Sequence, residues 1–176
     1  MTKDNLNTSE LFFSLEQTLS GLLQLIFSAD AVTLNTICFK DSWTGGQLVF
    51  HVIKSNKAIT QSLYMEGKIA ERDPGERVNE LKTMFLDFTI KFNSPEFIFP
   101  REDAYQKETL VTDLKKSIDN LKEKGSTVNL SEIITLPAFG EITKYELLHF
   151  VLYHTQRHIY QLKNILQNVK NKELNN

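Results

Sequence analysis

Cysteine is nearly absent from this sequence, and that removes several classes of protein at once. Cys38 is the only one in 176 residues, so an intrachain disulfide is impossible and no cysteine-rich zinc module can form. An excess of either charge is also missing. Lys and Arg number 20 against 22 Asp and Glu, a net charge of -2. Without a basic surplus, and with no basic block interleaved with aromatics, binding of nucleic acid through its phosphates is not expected. Long apolar runs are lacking too. The stretch Leu22 to Phe27 is broken by Gln24 and falls far short of the roughly 20 residues that span a bilayer. Residues Met1 to Leu6 carry acid and amide where a signal peptide needs an apolar core. The expectation is a cytoplasmic protein that does not engage a membrane. Cys38, flanked by Ile37 and Phe39, reads as an inert buried thiol rather than a nucleophile.

Period-two alternation, the mark of a half-buried strand, is almost absent, and there is no internal repeat or low-complexity tract. What is there is helical periodicity, in a chain with 41% hydrophobic and 24% charged residues that suits one globular domain over 1–176. The first helix is expected over Ser9–Ser28, with Leu11, Leu15, Leu19, Leu22 and Ile26 on one stripe. Ala29–Ser42 has no clear period. Thr44 and Gln47 form a capping box for a second helix to about Met65. After the Asp73-Pro74-Gly75 turn, a third helix is expected over Glu76–Phe92, with Val78, Leu81, Phe85, Phe88 and Phe92 as a core stripe rather than a cofactor box. Asn93–Asp103, with Pro95 and Pro100, reads as an extended connection packed by Phe97 and Phe99. A fourth helix covers Gln106–Lys124 and stops at Gly125. Pro137 and Gly140 mark a loop. Thr143 and Glu146 then cap a long last helix to about Val169. The class is all-α, a helical bundle with connections too long for the simplest up-and-down form.

The chemistry gathers on the last helix. Leu147, Val151, His154, His158, Leu162 and Ile165 share one stripe, so two imidazoles four residues apart face the core, about 6 Å apart along the axis. Two buried imidazoles on adjacent turns need partners for four ring nitrogens, and a shared metal ion is one solution. The other is a pair of satisfied core histidines. His51, on the inward face of the second helix with Leu48, Val52 and Ser55, is a third candidate ligand. Three imidazoles would hold zinc or a similar divalent ion and leave coordination positions open, as in catalytic sites. His149 lies about 140° round the helix from His154 and reads as a packing histidine. Gln161, three residues past His158, is a candidate to orient it or a bound water. Gln47 is assigned to its cap. Arg157 is expected to point away from the pair, in a solvated or interface role rather than in anion binding. Tyr153 and Tyr160 border the stripe and read as core packing rather than as pocket lining.

Trp43-Thr44-Gly45-Gly46-Gln47-Leu48-Val49-Phe50-His51-Val52 resembles the second-helix signature of the DinB/YfiT-like superfamily. Phe139-Gly140-Glu141-Ile142-Thr143, with Leu147-Leu148, His154-x-x-x-His158 and Tyr160-Gln161-Leu162, is similar to its last-helix signature, and the resemblance covers nearly the whole chain. It implies a four-helix bundle of DinB-like topology, with the Glu76–Phe92 helix as an addition between bundle helices two and three. It also implies a divalent metal, zinc or nickel foremost, on His51, His154 and His158, and a homodimer. Characterised members include thiol S-transferases and a thiol-dependent isomerase.

Thr155 stands where a metalloprotease with the H-E-x-x-H pattern has its general base, so peptidase chemistry is not expected. The lead reading is an S-transferase-like enzyme in which the metal lowers the pKa of a low-molecular-weight thiol for attack on an electrophilic substrate. Metal-dependent hydrolysis, and a non-catalytic dimeric bundle with a structural or vestigial site, remain open beside it.

Overall fold

The structure, a computed structural model, describes residues 6–174. Residues 1–5, part of the stretch read above as unlike a signal peptide, lie outside it. In chain order the elements are α1 (Thr8–Ser28), α2 (Ala31–Asn35), α3 (Gly45–Ser62), β1 (Lys68–Ile69), α4 (Val78–Leu86), α5 (Lys107–Thr127), β2 (Glu132–Leu136), β3 (Gly140–Thr143) and α6 (Lys144–Leu174), with a 3-10 turn at Glu96–Ile98. Helices α1, α6, α3 and α5 pack in a closed ring, each against the next, and α4 lies outside the ring against α6. This is the four-helix bundle with α4 added between its second and third helices and the short α2 between its first and second.

Local chemistry sets the helix starts. The Thr44 hydroxyl accepts the Gln47 N–H while Gln47 Oε1 accepts the Thr44 N–H, which opens α3. Thr143 and Glu146 do the same for α6. Among the described residues, α1 alone is long and apolar enough by length and composition to cross a membrane, which the interrupted apolar runs did not suggest. In the fold its stripe Leu11, Leu15, Leu22 and Ile26 is buried, facing the neighbours α6 and α5.

Several boundaries depart from the periodicity. A short α2 sits inside Ala29–Ser42, started by Asp30, whose carboxylate accepts the Thr33 N–H at 2.7 Å. Helix α5 runs through Gly125 to Thr127. A Cβ there would lie 3.2 Å from Leu148 and 3.3 Å from Phe12, so this glycine serves close helix packing rather than a stop. Helix α4 ends at Leu86, six residues early. Asp87 turns its carboxylate to the N–H and hydroxyl of Thr89, a local turn that competes with helix continuation. Phe88 and Phe92 are therefore 43% and 41% exposed instead of lying in a core stripe. Phe97 and Phe99 are also exposed, and it is Ile98 between them that packs inward.

Three short strands add a small antiparallel sheet, β1-β2-β3, in which Ile134 faces Ile142. Gly140, at φ +65°, closes the β2–β3 turn in a conformation that suits glycine. Only Ile134, Ile142 and Thr143 of the sheet are fully buried, too few inward residues to write a period-two pattern.

The core is split. One apolar cluster joins the start of α1, the end of α3, α4, the sheet and α6 up to Tyr153. The other joins the end of α1, α2, the start of α3, α5 and α6 from Leu162 onward. Between them on α6 lie His154, Thr155, Arg157 and His158, all buried. The fold thus places a polar layer at mid-height of its longest helix.

Candidate metal centre

His51 from α3 meets His154 and His158 from α6 inside this layer. All three are buried, and one ring nitrogen from each lies within 4.8 Å of the other two. His51 Nε2 is 3.2 Å from His154 Nε2, and His158 Nε2 is 3.0 Å from the same atom. Metal–nitrogen bonds of about 2.0–2.1 Å at angles between right and tetrahedral hold ligand nitrogens about 2.9–3.4 Å apart, so both contacts suit a shared ion.

The outer nitrogens fix the tautomers. His51 Nδ1 lies 3.1 Å from the Ile98 carbonyl, and His158 Nδ1 lies 2.6 Å from Gln161 Oε1. Each acceptor calls for a proton on Nδ1, which leaves Nε2 as a bare lone pair turned toward the cluster. His154 Nε2 can carry one proton, so it can donate to only one of its two neighbours. His154 Nδ1 is buried with no hydrogen-bond partner among the described residues. A cation at the centre would resolve the conflict at His154 Nε2, with the ring proton then on Nδ1, and the three imidazoles fit a divalent ion. Gln161 thus lies where the sequence suggested, against His158. Gln47 stays with its cap and adds a bond from Nε2 to the Arg101 carbonyl.

Burial keeps the set neutral. It drives the pKa of His154 well below the usual 6.5, aided by His158, His51 and Arg157. It pulls His158 down to about 3, with His51 and Arg157 acting the same way and the Gln161 bond opposing. It lowers His51 too, against the opposing bond to Ile98. Neutral imidazoles are the form that binds metal.

The cluster opens into a cleft of about 1040 Å³ that includes all three histidines in its wall. Trp43 tilts over His51 with centroids 5.0 Å apart, and Phe150 lies 5.0 Å from His154. Phe88, Phe92, Phe97 and Phe99 line it from the segment after α4. The early end of α4 and the exposed Phe residues, at odds with a packed core stripe, build this wall. Sequence periodicity gave no signal for it.

Arg157 requires a correction. It is buried, lines the cleft, and donates through Nη1 to the carbonyls of Phe85 (3.1 Å) and Asp87 (2.9 Å) and through Nη2 to that of Ile90. Its guanidinium lies over the Phe92 ring at 4.8 Å. The freed carbonyls at the end of α4 draw it inward, so it is not a solvated side chain. Tyr160 is corrected in the other direction: it is 43% exposed and stacks on Phe88 at 4.0 Å. Tyr153 is buried beside His149, which packs on Tyr145 at 4.5 Å and stays out of the cluster. Cys38 is fully buried. Thr155 is buried with its hydroxyl unpartnered, and it does not line the cleft.

The sequence profile that describes the DinB superfamily matches residues 14–162. The chain belongs to the DinB superfamily. Among solved structures, this DinB-superfamily chain is similar to the crystal structure of TT2238, a four-helix bundle protein, at a TM-score of 0.60 and 18% identity, over 89% of this chain and 98% of that one. That likeness bears on the fold alone. No curated protein matches this DinB-superfamily chain.

Proposed function

We propose that this protein is a metal-dependent enzyme that transfers a low-molecular-weight thiol to an electrophilic substrate. The observation that carries the reading is the set of three neutral imidazoles whose inward nitrogens converge at the wall of a large cleft. A structural metal site is ordinarily closed by its protein ligands, whereas three ligands facing a cleft leave room for a reactant. The thiol comes from the family resemblance, and zinc or nickel are the proposed ions.

A divalent ion held there would supply a Lewis acid able to lower the pKa of a thiol or water. The protein's own part is to keep the ligands deprotonated by burial and to hold their rings through Ile98 and Gln161. In the transfer, the thiolate sulfur forms a bond to an electrophilic carbon. The leaving group departs with the electrons of its own bond, and the thiol proton goes to solvent. No carboxylate is needed as base, and among the described residues Asp41 is the only one in the cleft wall. Thr155, lying outside that wall, supports setting aside a peptidase. The proposal also takes the protein to be a cytoplasmic homodimer.

The test is conjugation of small thiols with a panel of alkyl, aryl and epoxide electrophiles by protein loaded with Zn(II) or Ni(II). Metal-stimulated product that disappears in His51→Ala is the expected result. Near one ion per chain with no stimulated conjugation across the panel would overturn the reading.

A further inference from the structure

Arg157 is a buried cation on which the Asp87 charge acts only from beyond salt-bridge distance. No carboxylate lies within salt-bridge distance of it among the described residues, and the neighbouring Asp87 is turned to Thr89. Three of the five N–H donors of a guanidinium are taken by the carbonyls of Phe85, Asp87 and Ile90. The remaining two, on Nε and Nη2, take no acceptor among the described residues. Carbonyl dipoles reduce the cost of burying this charge but do not neutralise it. The side chain is next in sequence to His158 and shares its cleft. There the charged lining, among the described residues, is Arg77, Lys91 and Arg157 against Asp41 alone. Arg77 is already engaged, with Glu80 and two carbonyls, and Lys91 is exposed. Three neutral imidazoles add no negative charge, so a bound divalent ion would make the cleft more cationic still. The stack of Arg157 on Phe92, and of Phe92 on Phe85 at 5.0 Å, puts an aromatic surface directly beside the guanidinium.

We infer that Arg157 is a substrate-binding residue that receives the carboxylate of a ligand whose apolar body lies along the Phe wall, beside the histidine cluster. Two open N–H donors are the number a carboxylate takes from a guanidinium, and such charge-assisted pairs are about twice as strong as neutral ones. The inference rests on the proposed transfer reaction for the ligand's role, since either the thiol or the electrophile can carry the acid.

Calorimetric titration of metal-free protein with 3-phenylpropionate and with 3-phenylpropanamide separates the guanidinium from any metal. The wild type should bind the acid at least about tenfold more tightly than the amide. Arg157→Gln should bind both alike, and Arg157→Lys should keep part of the preference. Equal binding by the metal-free wild type, or a preference that survives in Arg157→Gln, would overturn the inference. Arg157 also ties down the end of α4, so Lys91→Gln serves where Arg157 variants fail to fold. An unchanged preference there supports Arg157, and its loss assigns the acid to the exposed lysine and overturns the inference. In metal-loaded protein, KM is then compared for 3-mercaptopropionate against 2-mercaptoethanol, and for 4-(chloromethyl)benzoate against its amide. A lower KM in the first pair places the acid on the thiol, and in the second on the electrophile. An acid preference in binding without any conjugation would remove the transfer reaction and leave the carboxylate site standing.

Discussion

Glu146 and His154 lie about two turns apart on α6, and both are buried, yet the fold treats them in opposite ways. The Glu146 carboxylate accepts from Arg72 Nη1 at 2.6 Å and Nη2 at 2.7 Å, from the Arg77 N–H at 2.8 Å and from the Thr143 N–H at 2.9 Å. Its charge is paired and its oxygens are occupied. His154 has one ring nitrogen with no partner and another facing two nitrogens that cannot both be satisfied. A saturated buried group is part of the frame: Glu146 joins the start of α6 to the turn before α4. An unsaturated one at mid-helix, open to a cleft, is where binding free energy can still be gained.

The largest expected effect tests the frame. Glu146→Ala strands the Arg72 guanidinium and uncaps α6. Breaking a buried ion pair from one side costs about 3–5 kcal/mol, and the partial exposure of Arg72 puts the expected loss near the lower end. Burial alone would raise the pKa of Glu146, but the Arg72 hydrogen bonds, the two backbone N–H groups and the Arg72 charge outweigh it and hold it below the usual 4.5. The folded state therefore binds this proton less readily than the unfolded chain. The stabilisation is complete above the unfolded value and is lost as pH falls through the folded one. Urea denaturation should show the gap between wild type and Glu146→Ala at pH 7 narrowing below about pH 4.5. A gap independent of pH would mean that the carboxylate is not what holds this joint.

These two sites were unequally legible in the sequence. The stripe through His154 and His158, and the phase of His51, were written in helical spacing, because a helix fixes which side chains share a face. The cap between Thr143 and Glu146 was legible for the same local reason. The partners of Glu146 were not: Arg72 and Arg77 come from a turn about 70 positions away, and nothing in their spacing points to α6. The cleft wall was hidden because Phe85, Phe88 and Phe92 keep helical phase past the point where Asp87 and Thr89 end the helix. Arg157 was misplaced for a related reason. Its angle on α6 points it off the histidine face, but only the early end of α4 supplies the carbonyls that bury it.

The next effect tests the histidine layer. Zn(II) at about 100 times its dissociation constant should stabilise the folded protein by about 2.7 kcal/mol, read as a rise in the thermal midpoint. His158→Ala should abolish that rise and drop metal content from near one ion per chain to background. A full rise in His158→Ala would place the metal elsewhere. A smaller step follows from Gln161→Leu, which keeps all three ligands and removes the acceptor of the His158 Nδ1 proton. Loss of such an outer partner costs about 10- to 100-fold in metal affinity, measurable by competition with a chelator. An unchanged affinity would mean that packing alone orients the ring.

The smallest change in folding stability is expected where the two sites should differ most. In metal-free protein, His154→Leu removes an imidazole whose Nδ1 has no partner and whose Nε2 faces two nitrogens pinned as acceptors by Ile98 and Gln161. Replacing an unsatisfied buried polar group by an apolar one of similar size is nearly neutral or stabilising, so metal-free His154→Leu should lie within about 1 kcal/mol of wild type or above it. With Zn(II) present the order reverses, because the wild type gains the metal's stabilisation and the variant does not. The same substitution thus changes sign with the ligand, which no frame residue can do. If His154→Leu instead destabilises the metal-free protein as much as Glu146→Ala does, His154 belongs to the frame, and its Nε2 is not a place held for a metal.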